Sequence, residues 1–250
     1  MRTATRPERS SFVRRIVFTT LALLLSGSLF PLRGPASARL PGPSAVSLST
    51  TAKPADVTLI GDSLVYQREA LYEHAFAVLG IPAHADGRGS RALRWGWQCK
   101  NTSGRLVILA APDSPGCRME GLELLRALAA PGGYDGFGLG RDVVLALGTN
   151  DSGLFTPAQA ELSLDAARTL LVDHRIFLVS IVKPGSSRAQ GYTTVARDWC
   201  HRDEDCVFVE WAASGDAARP ELYNADGIHL TEQGARVRAA FIAAAVAASR

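Results

Sequence analysis

Ser63, Asp226 and His229 are residues of the right kinds for nucleophilic catalysis. Ser63 lies in Gly61-Asp62-Ser63-Leu64, directly behind the apolar run Val57-Thr58-Leu59-Ile60, and Asp226 and His229 stand three residues apart in Asp226-Gly227-Ile228-His229. A serine hydroxyl is a weak nucleophile until an imidazole takes its proton, and the imidazole works best when a carboxylate fixes its tautomer. An Asp and a His on one short turn meet that need. Between these segments, Leu145-Ala146-Leu147 runs into Gly148-Thr149-Asn150-Asp151, which sets a side-chain amide donor just past a second apolar strand. Such a donor suits an oxyanion hole.

The elements that must position these groups can be read from apolar periodicity. Strand-like runs recur at 56–60, 142–147, 176–182 and 206–210, with a further strand near 81–85. Helical patterns fall between them at 66–79, 120–130 and 157–173, the last opening on Thr156-Pro157 as cap and first turn. Thr231 caps an Ala-rich helix to about residue 248. Strands alternating with helices predict a parallel sheet covered by helices. Ser63, Asn150 and the Asp226–His229 turn each follow the carboxyl end of a predicted strand, where open α/β sheets form their ligand crevice. Residues 95–119 fit no clear period, although Leu106 to Ala110 is a candidate short strand inside a disulfide-tied excursion.

In this order, Gly61-Asp62-Ser63-Leu64, Gly148-Thr149-Asn150-Asp151 and Asp226-Gly227-Ile228-His229 resemble the first, third and fifth motif blocks of the SGNH (GDSL-type) hydrolase superfamily. The resemblance covers roughly residues 56–245. It implies a three-layer α/β/α fold with a flavodoxin-like parallel sheet. It also implies a catalytic set of Ser63, Asp226 and His229, with an oxyanion hole built from Ser63, Asn150 and one glycine. That glycine follows the second strand in Asp86-Gly87-Arg88-Gly89-Ser90-Arg91. Gly89 fits the family's small-residue turn before a basic residue better, and Gly87 remains the alternative. The implied activity is a secreted serine esterase working through an acyl-enzyme. The alternatives are an O-acyltransferase or deacetylase acting on cell-envelope polysaccharide and, in another class, a non-catalytic secreted binding module.

Other reactive-looking residues have plainer readings. His74, His84, His174 and His201 lack a suitably spaced acidic partner and are expected at the surface or in packing. Arg91, Arg94, Trp95 and Trp97 suit the packing of an irregular loop better than a substrate pocket, and Lys183 and Arg188 are read as exposed loop charge. Asp203, Glu204 and Asp205 are read as a solvated loop. The G-x-S-x-G elbow of α/β-hydrolases is absent, as are an H-E-x-x-H helix, a P-loop and a dinucleotide fingerprint in the required context. Neither a cofactor nor a metal is implied.

The amino-terminal part reads as a segment to be removed. Arg14-Arg15 precede the 15-residue apolar stretch Ile16 to Phe30, and Ala36-Ser37-Ala38 offers a small-x-small cleavage site, the pattern of a secretory signal peptide over 1–38. The stretch is interrupted by Thr and Ser and is short for a membrane span, which needs about 20 apolar residues. Residues 39–55, rich in Pro, Ser and Thr, read as a flexible linker, leaving 56–250 as one catalytic domain. Residues 1–38 hold six Arg and one Glu of the chain's 27 basic and 24 acidic residues, so the remainder carries 21 and 23, net −2. With neither excess nor clustering of basic charge, a nucleic-acid partner is not expected. The expected partner is a small-molecule or glycan-linked ester met by a monomer with no stable membrane span in the mature chain. Cys99, Cys117, Cys200 and Cys206 lack C-x-x-C spacing and, in an exported chain, read as disulfides. Of the three connectivities, proximity favours Cys99–Cys117 and Cys200–Cys206.

Overall fold

The computed structural model describes residues 55–250. The expected signal peptide and all but the last residue of the expected linker lie outside the described residues.

Five short strands form the central sheet, the three inner ones buried along all or nearly all of their length and the two edge strands partly buried. They are β1 (Val57–Gly61), β2 (Ala83–Gly87), β6 (Asp142–Ala146), β7 (Arg175–Val179) and β8 (Cys206–Val209), with α1 (Glu69–Val78) between β1 and β2. All pair in parallel in the order β2-β1-β6-β7-β8. The strand order reverses between β1 and β6, where Gly61 stands opposite Ala146. This is the doubly wound arrangement in which the crevice opens at the reversal.

Side chains alternate across each strand, so one strand feeds two cores. Val143, Leu145, Ile176 and Leu178 face one side, and Val144, Ala146, Phe177 and Val179 face the other. The first side is covered by α2 (Gly121–Ala129), α4 (Pro157–Leu170) and α5 (Ser187–Cys200), through Leu122, Leu125, Leu164, Tyr192 and Trp199. The second is covered by α1 and α6 (Glu232–Ala248), through Tyr72, Phe76, Ala239, Ile242 and Val246. The small side chains of α6 let it lie close on the sheet. The chain thus has the three-layer α/β/α architecture expected from sequence.

Three differences from the sequence reading matter. The helix expected at 66–79 starts at Glu69, because a separate turn runs through Tyr66 and Gln67 takes φ +62°. Arg188, read as exposed loop charge, lies in α5. The helix's buried residues Ala189, Tyr192, Ala196 and Trp199 keep a helical spacing that the polar residues between them obscure. The unplaced segment 95–119 forms a second sheet from β3 (Trp97–Lys100), β4 (Leu106–Leu109) and β5 (Arg118–Met119), antiparallel in the order β4-β3-β5. Its β4 agrees with the candidate strand at 106–110.

Both disulfides have the pairing favoured by proximity. Cys99–Cys117 pins β3 to β5, and Cys200–Cys206 ties the end of α5 to the start of β8. His84 stacks on Phe137 with ring centroids 3.7 Å apart, and His174 Nδ1 lies 2.7 Å from the Gly140 carbonyl. Both histidines therefore serve packing. Among the described residues, no helix is long and apolar enough to cross a membrane.

Candidate active site

Ser63 sits on a single helical turn behind β1. A Cβ on Gly61 would lie 2.2 Å from Val65 Cγ2, so only glycine lets the chain fold back this tightly. The N–H groups of Val65 and Tyr66 donate to the Asp62 carbonyl at 3.1 and 3.0 Å. The Leu64 N–H donates to Asp62 Oδ1 at 3.0 Å. From the helical layer below, Arg238 of α6 donates to the Tyr72 hydroxyl at 2.9 Å, which in turn donates to the Leu64 carbonyl at 3.2 Å. Asp62 is fully buried, and burial raises its pKa against the opposing Leu64 hydrogen bond and Arg238 charge. Its work is to shape the turn that presents Ser63.

The turn carrying Asp226 and His229 is built as tightly. Gly227 adopts φ +67°, a left-handed conformation that glycine enters without steric cost. This lets Asp226 Oδ1 accept both the Ile228 and the His229 N–H at 2.9 Å. The Asn224 N–H donates to the His229 carbonyl at 2.7 Å. Thr231 then caps α6 by accepting the Gly234 N–H at 3.1 Å. A Cβ on Gly234 would fall 2.0 Å from the Leu222 carbonyl oxygen, so glycine is what allows α6 to start directly beneath this loop.

These two turns, 166 residues apart in sequence, meet. His229 Nε2 is 3.0 Å from Ser63 Oγ, and His229 Nδ1 is 2.6 Å from Asp226 Oδ2. The carboxylate can only accept, so Nδ1 carries the proton and Nε2 is left free to receive the hydroxyl hydrogen of Ser63. The His229 ring N–H, followed by the N–H groups of Ile228 and His229, holds the Asp226 pKa down at about 2. Both side chains of this pair are about half exposed.

Asn150 follows β6 at the other side of the strand-order reversal. Gly148 takes φ +122°, and a Cβ there would press 2.6 Å from the Tyr192 ring. The Asn150 side-chain nitrogen donates to the Arg91 carbonyl at 3.0 Å, leaving its second N–H available. The two glycine candidates separate by position. Gly87 ends β2 opposite Gly61, and a Cβ on it would meet the Tyr66 backbone nitrogen at 2.4 Å, so it serves close packing. Gly89 lies beyond the strand, where a Cβ would approach only the Tyr66 ring, at 3.9 Å. Among the described residues, no group accepts the N–H of Gly89 or of Ser63.

Sequence reasoning missed the network around residues 91–94, where Arg91 and Arg94 had been read only as loop packing. Arg91 is buried and donates to the Gly61, Asp86 and Met119 carbonyls and to Asp86 Oδ1. It thereby joins the ends of β1 and β2. Arg94 pairs with buried Glu120 at 3.0 Å. Trp97 is half-buried in β3, whereas Trp95 remains 45% exposed with the Arg126 guanidinium 5.7 Å from its ring centre. Two clefts are lined by residues that follow Asn150 and that surround Asp226 in sequence, though neither is lined by Ser63 or His229. One of about 450 Å³ is lined by Leu154, Phe155, Arg188 and Tyr192, and one of about 510 Å³ by Pro184, Tyr223, Asn224 and Gly227.

No protein-family model and no curated protein matches the sequence. Solved structures do share its architecture. TesA superposes with a TM-score of 0.52 at 20% identity, over 74% of this chain and 94% of TesA. A carbohydrate esterase family 2 enzyme with a carbohydrate-binding domain, from Corynascus thermopiles (Myceliophthora fergusii), gives 0.51 at 17% identity, over 79% and 67%. A member of the lipolytic protein G-D-S-L family from Veillonella parvula gives 0.51 at 14% identity, over 76% and 96%. With this strand order, and with Ser63, Asn150 and the Asp226–His229 turn at its carboxyl edge, the chain has the SGNH-hydrolase fold.

Proposed function

We propose that the protein is a serine esterase of the SGNH (GDSL-type) superfamily that cleaves carboxylic esters through an acyl-enzyme. The observation that carries this is the hydrogen-bonded series Ser63 Oγ, His229 Nε2, His229 Nδ1 and Asp226. His229 takes the Ser63 proton as Oγ attacks the ester carbonyl. Asp226 holds the imidazole tautomer and supports the imidazolium that forms. The developing oxyanion accepts from the N–H groups of Ser63 and Gly89 and from the free N–H of Asn150. His229 then returns the proton to the departing alcohol. Water, activated in the same way, releases the acid and frees Ser63.

The half-exposed Asp226–His229 pair leaves room for a bulky alcohol, which favours a glycan-linked ester over a deeply enclosed small one. The esterase named among the similar folds acts in the carbohydrate class. A sugar hydroxyl replacing water in the second step would make the same site an O-acyltransferase. We also assign the protein to an exported compartment, on the signal-like pattern of residues 14–38 and on two disulfides of the kind that persist where the environment oxidises.

Hydrolysis of p-nitrophenyl esters of increasing acyl length by wild type and Ser63→Ala tests the reading. Turnover should require Ser63, and a phosphonate should add its mass to the peptide containing it. Full activity in Ser63→Ala would refute the mechanism, whereas a wild type with no turnover and no phosphonate on Ser63 would leave a non-catalytic binding module. Amino-terminal sequencing of exported material should begin near Arg39, and a membrane-retained chain still carrying Ile16–Phe30 would reject cleavage and release.

A further inference from the structure

We propose that Asp151, together with Glu120, is a positioning residue of the oxyanion hole, clamping the Arg91–Leu93 segment whose carbonyl orients the Asn150 amide. The inference rests on the esterase reading above. Three successive residues of this segment are each held by a side chain from elsewhere in the fold. The Arg91 carbonyl accepts from Asn150 Nδ2 at 3.0 Å, the Ala92 N–H donates to Glu120 Oε2 at 2.7 Å, and the Leu93 N–H donates to Asp151 Oδ1 at 2.7 Å. The Ala92 carbonyl accepts the Gly121 N–H at 2.8 Å. Glu120 and Asp151 are fully buried. Each acid keeps an oxygen that accepts the backbone N–H, and the bond is about twice as strong when that acid is ionised.

The turn just before this segment needs anchoring. Ser90, next to Gly89, takes φ +61°, a left-handed conformation that costs a residue with a Cβ and persists where the surroundings dictate it. The Arg88 N–H donates to the Gly61 carbonyl at 3.1 Å, and Gln98 Nε2 donates to the Ser90 carbonyl at 3.3 Å. With the clamp on residues 91–93 and the Arg91 bond to the Gly61 carbonyl, the turn is fixed at both ends relative to β1, which leads into the turn bearing Ser63.

The clamp also decides which way the Asn150 amide points. A carbonyl can accept only from the amide nitrogen. With the Arg91 carbonyl in place, one N–H of Asn150 is used and the other stays available to an oxyanion. If the segment drifted, the amide could turn its oxygen toward the developing charge. Asp151 is retained here at a cost. Its Oδ2 has no partner among the described residues. Burial first, with repulsion from Asp62 and Glu120 as lesser contributions, pushes its pKa up to about 7, and the buried Tyr192 hydroxyl on α5 is raised partly by it. Strongly shifted groups of this kind cluster at functional sites.

The test is steady-state kinetics on p-nitrophenyl acetate with Asp151→Ala, Asp151→Leu and Asp151→Asn, alongside Leu164→Ala, a core substitution in α4 that serves as a stability control. Asp151→Ala and Asp151→Leu should lower kcat about 10–100-fold with KM within about twofold, because misplaced donors lose transition-state stabilisation. Asp151→Asn keeps an oxygen able to accept the Leu93 N–H and should recover most of the rate. Leu164→Ala should lower Tm and leave kcat intact. Asp151→Leu fills the space left by the aspartate, so an unfolded alanine variant does not stall the test. Wild-type kcat in a folded Ala or Leu variant overturns the inference. So does an Asn variant as slow as the Leu variant, or a rate loss in Leu164→Ala matching that of Asp151→Ala. An inactive wild type with no phosphonate on Ser63 would instead remove the esterase reading, and this inference with it.

Discussion

At the scale of single residues, Asp226 carries two loads that experiment can separate. Its Oδ1 holds the turn through the N–H groups of Ile228 and His229, while its Oδ2 faces the imidazole. Asp226→Asn keeps an oxygen for the turn and sets an amide against the ring, which favours the wrong tautomer. In another triad the same exchange costs about 10⁴ in kcat, and a loss of that order with little change in folding is expected here. The pH dependence has a definite sign. The Asp226 pKa is lowered from 3.8 to about 2 in the folded state. Its charge therefore stabilises the fold fully above pH 4, and that contribution fades as pH falls toward 2. The Tm difference between wild type and Asp226→Asn should stay constant from pH 8 to 4 and close below it. A difference that closes well above pH 4 would contradict the assignment. Activity lost above pH 4 must come from a group other than Asp226.

At the scale of elements, glycines set how closely the site-bearing turns approach their supports. Gly234→Ala would drive a Cβ against the Leu222 carbonyl, so α6 must move away from the loop holding Asp226 and His229. Overpacking of this kind typically costs about 1–3 kcal/mol, and kcat should fall with it. Gly191 lies in α5 with open space around its Cβ position, so Gly191→Ala should raise stability by about 0.5–1 kcal/mol and leave kcat unchanged. Thermal melts and p-nitrophenyl acetate turnover on the two variants check both expectations. Equal effects would show that the close contact at Gly234 relaxes freely.

The same scale shows how far the sequence could be read. The five strands of the parallel sheet were legible because short apolar runs between helical patterns have little other meaning, and Ser63 and Asn150 stood out because each closely follows such a run, Asp226 and His229 because they share one short turn. Helix α5 was obscured because only every third or fourth residue is buried in a segment as polar as Ser186-Ser187-Arg188-Ala189-Gln190. The β3–β4–β5 sheet was illegible because β5 has two residues and its pairing depends on partners far along the chain. The clamp on Arg91–Leu93 joins residues 28 and 58 positions apart, and no local pattern encodes such a contact.

At the scale of the whole molecule, one disulfide lies in the small antiparallel sheet and the other at the start of β8 in the parallel sheet, so they should have different consequences. Cys200–Cys206 closes a loop between α5 and the start of β8, at the amino edge, away from the turns bearing Ser63, Asn150 and His229. Cys99–Cys117 secures the β3–β5 pair. The β3 side chain Gln98 holds the Ser90 carbonyl, and the Gly96 carbonyl just before β3 accepts the N–H of Glu120. Their sequence separations of 6 and 18 give loop-entropy contributions of about 2 and 3 kcal/mol. Cys200→Ser/Cys206→Ser should therefore lower stability by about 2 kcal/mol and leave kcat unchanged. Cys99→Ser/Cys117→Ser should cost about 3 kcal/mol and also lower kcat, because the freed excursion slackens both the Ser90 turn and the Glu120 anchor. Denaturant titrations paired with turnover at a temperature where all variants remain folded distinguish these outcomes. Equal kcat in the two double variants would mean that the Ser90 turn stands without the second sheet, held by the Arg88 and Arg91 bonds to β1 and β2 and by Asp151.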